Sequence, residues 1–138
     1  MGRAVLAGVI AGVVAAVLAN VTALILSRQF GQSFDQLNWF SISRASMISS
    51  VIAAFVYSGL AHWTNRPAVW FAALGLAIAL IDSLLVSRHP PEAGFDRVAN
   101  PLHFIVAISA LVLIPTLAPA FPQPQPGPTL PPPAPQKS

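Results

Sequence analysis

The chain has no cysteine among its 138 residues, which excludes disulfides, thiolate catalysis and zinc or iron–sulfur centres built on sulfur. Charge is nearly as scarce. Seven Lys and Arg and four Asp and Glu make up 8% of the chain, against about 25% in a soluble globular domain. So few charges cannot coat a water-facing globule, so an ordinary cytosolic enzyme is not expected. The net charge of +3 and the pI near 10.7 are basic, yet Arg3, Arg28, Arg44, Arg66, Arg88, Arg97 and Lys137 never cluster. A nucleic-acid footprint needs a patch or a stripe, so nucleic acid is not an expected partner. There is no Walker loop, no dinucleotide fingerprint and no internal repeat. The serines form no specific Ser–His–acid arrangement. Glu92 and Asp96 fit solvated loop charges better than a catalytic pair, and no enzymatic activity is expected.

What the chain does have is apolar length. Hydrophobic residues make up 55% of it and its mean hydropathy is +0.70, which points to lipid as the main solvent. Spanning a bilayer takes about 20 apolar residues. Residues 4–26 qualify, interrupted only by Asn20 and Thr22. A signal peptide cleaved after Ala19 is the competing reading, but the apolar run continues to Leu26 and a retained helix is expected. Three further spans are expected at about residues 45–63, 68–86 and 98–117. Between the first two lies a polar connection carrying Phe30, Phe34, Trp39 and Phe40, which suits an interfacial segment or an ordinary loop. Asn65-Arg66-Pro67 marks a tight turn, with Pro67 opening the next helix. So short a link makes the second and third spans antiparallel neighbours. Pro90-Pro91 ends the third span, while Pro101 lies in the first turn of the fourth and Pro115 weakens its end.

The expected fold class is all-α: an integral membrane four-helix bundle over residues 1–118, followed by a proline-rich tail over residues 119–138. Such proline density favours an extended polyproline II chain. The tail is either a disordered terminus or a segment docked on a partner. Arginines flank the apolar runs on both sides, four against two arginines, a lysine and the amino terminus, so the positive-inside rule gives no orientation.

Polar residues inside the spans carry the functional hints. Threaded up and down, the four spans bring Asn20, Arg44, Asp82 and His103 to one membrane side at similar depth, with Ser46, Ser49 and Ser83 in the same layer. An ionisable group in lipid costs at least about 2.5 kcal/mol at mid-helix and normally faces protein or water. Two readings follow. Asp82 and His103 form a proton-exchanging or ligand-binding pocket beside Arg44, or the four groups make a satisfied network that fixes helix order, with Arg44 neutralising Asp82. Bis-histidine haem is not expected within one chain, because His62 falls on the opposite side from His103 and His89 sits in a proline-flanked loop. Ligation of a chlorin-type pigment by His103, with Ala99 one turn away, is a third possibility. Otherwise no cofactor is expected, and no metal, since two histidines lack a third ligand. Gly8 and Gly12 form GxxxG, continued by Ala16 and Asn20, a small-residue stripe for close helix packing inside the chain or against a partner. Trp63 and Trp70 anchor the other interface.

On Asn20, Asn65-Arg66-Pro67, Asp82-Ser83 and Leu102-His103, residues 1–118 resemble a family of small bacterial four-helix membrane proteins of unknown function. The resemblance implies a four-helix architecture and a multi-pass location in a bacterial inner membrane. It supplies no activity. The leading functional expectation is a non-enzymatic accessory or scaffold subunit that packs against a larger membrane complex or against its own copies. A small proton-coupled transporter or channel using Asp82 is the alternative.

Overall fold

The structure, a computed structural model, describes residues 2–31 and 34–120. Within them the chain forms four long helices: α1 (Gly2–Phe30), α2 (Trp39–Trp63), α3 (Pro67–Arg88) and α4 (Phe95–Ala120). A single 3-10 turn, Asp35–Leu37, precedes α2, and no strand occurs among the described residues. All four helices are long and apolar enough to cross a membrane. The expected tail begins inside α4, which runs on to Ala120, and residues 121–138 lie outside the described residues.

Each helix is longer than its apolar run, for local reasons. At α2 the difference is six residues. Asn38 caps the helix: its side-chain carbonyl accepts from the Ser41 amide at 2.9 Å, and its amide donates to the Asp35 carbonyl at 2.8 Å. That satisfies an orphan donor of the first turn and starts α2 at Trp39, so Arg44 lies in the second turn instead of at the helix start. Gly31 and Gly94, with φ of +63° and +81°, supply the left-handed positions that follow α1 and precede α4. Because α4 begins at Phe95, Pro101 falls inside the helix and not in its first turn, and the ladder loses one amide there. The helix also passes through Pro115. The Thr116 hydroxyl donates back to the Val112 carbonyl at 2.8 Å and to the Leu113 carbonyl at 3.0 Å, which satisfies that hydroxyl within its own helix.

The packing is inside out. The buried side of α1 consists of Ala4, Ala7, Gly8, Ala11, Gly12, Ala15, Ala16, Ala19 and Ala23, while Leu6, Val13, Val17, Leu18, Val21, Leu24 and Ile25 are exposed. Small residues inward let backbones approach, and large aliphatics outward suit hydrocarbon. Helix α1 packs along both α2 and α4, and α3 packs along α4. Helices α2 and α3 meet sparsely in spite of their short link. They are neighbours near the turn, where the Tyr57 and Phe71 rings stack edge to face at 5.3 Å, and separate beyond it. A second edge-to-face pair, Phe34 with Phe95 at 5.5 Å, ties the first connection to the start of α4 at the opposite end.

Candidate functional site

The separation of α2 from α3 leaves a groove of about 620 Å³, walled by α2, α3 and α4. Its α3 wall is Phe71, Leu74, Gly75, Ile78, Ala79 and Asp82, and its α4 wall includes Ala99, Leu102, His103, Val106 and Ala110. Both sets recur at three- and four-residue steps, which places each on one helix face. Helix α2 contributes Ser41, Arg44, Ser49, Ile52, Ala53 and Val56 among others, and the Asp35–Leu37 turn adds Gln36 and Leu37 at one end.

The polar groups are not spread along this groove. From Ser41 to Val56 it extends about 22 Å at 1.5 Å per residue, and its charged and amide-bearing residues, Gln36, Arg44, Asp82 and His103, all lie toward the end formed by the two longer loops. Beyond Ser49 and Asp82 the lining is aliphatic until the groove ends against Phe71. The site is therefore amphiphilic along its length: a polar mouth leads into an apolar channel that runs as far as Phe71.

Of the four polar residues singled out in the sequence, three share this groove and one does not. Arg44 and Asp82 are exposed and His103 is half-buried. No ion pair within 4.0 Å joins Arg44 to Asp82 among the described residues. Arg44 instead holds its guanidinium 5.8 Å from the centre of the Phe40 ring, one turn earlier. The His103 Nδ1 is buried without a hydrogen-bond partner, as is the Ser46 hydroxyl. Asn20 points elsewhere. Its amide donates to the Ser43 hydroxyl at 3.0 Å and to the Ala16 carbonyl at 2.8 Å, so it ties α1 to α2.

Two polar contacts were not anticipated from the sequence. Ser43 is the Asn20 partner, and the Asn100 amide donates to the Ser87 hydroxyl at 2.9 Å, joining α4 to α3 at the loop end. Pairs of short polar residues near facing helix ends are the signal, but only helix order tells which pair meets. Among the described residues no three His, Asp or Glu side chains are gathered to hold a metal ion. With the Nδ1 of His103 unpartnered, no second group orients that ring as a ligating histidine normally requires.

Gly8 and Gly12 face α2. A Cβ at Gly8 would lie 2.7 Å from the Ala54 Cβ and 2.9 Å from the Ser50 carbonyl, and one at Gly12 would lie 2.8 Å from the Met47 sulfur. Ala16 is buried on the same side. The stripe is occupied within the chain. In comparisons with known proteins, no family model, no curated protein and no solved structure matches this chain.

Proposed function

We propose that the chain is a four-span integral membrane protein with a non-enzymatic role, and that it holds an amphiphilic molecule of the bilayer in the groove between α2, α3 and α4. The carrying observation is the groove's polarity gradient, with Arg44, Asp82 and His103 at one end of an otherwise apolar channel. Ligand sites are typically concave, mostly apolar and furnished with a few placed polar groups. The membrane assignment draws on the exposed aliphatic surface of every helix, which a soluble monomer avoids over such an area. Exposed Trp39 at one end and Trp63 and Trp70 at the other stand where aromatic belts form. With the family it resembles, we assign it to a bacterial inner membrane.

A groove that ends against Phe71 suits retention better than passage, which is why holding is proposed over transport. The accessory-subunit role no longer draws on Gly8 and Gly12, which α2 occupies. It keeps the outer face of α3, a helix whose only buried residues, Phe71 and Ala79, lie on the groove side.

The test is purification from the native membrane in mild detergent, with intact mass and absorbance read together. The expected result is a colourless chain that carries lipid-sized added mass. Replacing Ala107, a groove-lining residue, by Phe should leave a folded protein with that mass reduced severalfold. A wild-type chain that retains nothing would refute the proposal. A stoichiometric companion protein would restore the accessory-subunit reading, and bound colour would restore the pigment reading.

A further inference from the structure

The groove's mouth carries both signs of charge on opposite walls. Arg44 comes from α2 and Asp82 from α3, both line the same space, and neither neutralises the other within 4.0 Å. A guanidinium is matched by a phosphate, which it binds through parallel N–H bonds. A carboxylate is matched by an N–H donor, and best by an ammonium. A purely anionic headgroup would set negative charge beside Asp82, and an uncharged one would leave both residues without a counterpart.

We infer that the amphiphile is a phospholipid whose headgroup joins a phosphate to a primary ammonium, the chemistry of an ethanolamine phospholipid. The inference rests on the lipid-holding role proposed above and adds the headgroup class. Three further features point the same way. Arg44 and Asp82 lie five and six residues from the loop-side ends of α2 and α3, within about 9 Å of those ends at 1.5 Å per residue, which is headgroup depth. Ser49, on the same wall as Arg44, is exposed and lines the groove, where its hydroxyl can donate to a phosphate or ester oxygen. Quaternary ammonium groups are recognised by cages of Trp and Tyr. No Trp or Tyr lines this groove among the described residues, whereas Asp82 and Gln36 offer acceptors to a group that still has N–H bonds.

The experiment offers delipidated full-length protein an equimolar mixture of phosphatidylethanolamine, phosphatidylglycerol and diacylglycerol with identical acyl chains, and reads retained lipid by native mass spectrometry. Wild-type protein is expected to retain the ethanolamine lipid about tenfold over diacylglycerol, the factor of one charge-assisted hydrogen bond, and severalfold over the glycerol lipid. Asp82→Asn should erase the preference between the two phospholipids, and Asp82→Glu should keep it. Arg44→Gln should bring both phospholipids down towards diacylglycerol. Equal retention of all three by wild-type protein, or preference for phosphatidylglycerol, overturns the headgroup inference and leaves the lipid-holding role standing. Retention of none overturns both. Displacement of bound lipid by water-soluble phosphoethanolamine would show that the site takes the free headgroup compound, which also overturns the lipid assignment. The wild-type selectivity decides the matter even if a variant fails to fold.

Discussion

The two sides of α2 are built from the same kinds of residue and do opposite things. Toward α1 it presents Met47, Ser50 and Ala54 against Gly8 and Gly12, and the backbones close until no Cβ fits at either glycine. Toward α3 it presents Ala45, Ser49 and Ala53, which line the groove. Small residues therefore permit close approach without compelling it. The seam closes because both helices are small-faced, so each backbone enters the space the other lacks. The groove stays open because the α3 face contains Phe71, Leu74 and Ile78, and because Gly75, its one very small residue, is filled from the other side by Leu111 of α4.

The sharpest way to break this comparison is to add bulk to the seam. Gly8→Leu must displace the Ala54 side chain or the Ser50 carbonyl, and overpacking of that kind costs about 1–3 kcal/mol. We expect a loss at the upper end of that range in a reversible denaturation titration in mixed micelles. The same addition of volume in the groove, Ala107→Phe, should shift stability by less than about 0.5 kcal/mol, the usual range for substitutions that disturb no packed feature. Equal losses at the two sites would mean that the groove is packed shut in the membrane.

A smaller effect is expected where polar groups reinforce the seam. A double-mutant cycle of Asn20→Ala and Ser43→Ala should yield a coupling of about 0.6 kcal/mol, the average for hydrogen bonds between membrane helices. A coupling of zero would show that Asn20 binds only the Ala16 carbonyl. Smallest, and of opposite sign, is Gly59→Ala. Nothing lies within 4 Å of its missing side chain, so the substitution should stabilise by about 0.5–1 kcal/mol through helix propensity alone. A destabilised Gly59→Ala protein would reveal a close contact at that face of α2, such as a second chain.

Hydropathy made the number of helices and their apolar centres legible, since the long apolar runs and the Pro67 and Pro90-Pro91 punctuation are local signals. Helix ends were less so. Trp39 to Ser43 read as part of a polar connection because the Asn38 cap that draws them into α2 depends on one side-chain hydrogen bond. Which end of the bundle the polar residues occupy was legible, because the spans alternate in direction. Partnership was not. Asn20, Arg44, Asp82 and His103 all lie toward the two longer loops, yet Asn20 bonds Ser43 while the other three line the groove. That division depends on α1 sitting between α2 and α4 and away from α3, a matter of helix order that apolar periodicity does not encode. The groove itself was written in the stripes 71, 74, 75, 78, 79, 82 on α3 and 99, 102, 103, 106, 110 on α4, but a stripe looks the same whether a helix or a lipid lies against it.

The three-residue link between Trp63 and Pro67 also bears on how the chain enters a bilayer. Over its most apolar 18 residues α2 has the lowest mean hydropathy of the four helices, at 1.4 against 2.3 for α3, because serines recur along it, and the whole helix carries Arg44 and His62 as well. Such a segment partitions poorly by itself. A link this short gives α2 no room to linger outside while α3 enters, so the two must insert as one hairpin, with the more apolar arm drawing the other in. The polar residues that furnish the groove are thus carried into the membrane by a neighbour that, once there, lets go of them along most of its length.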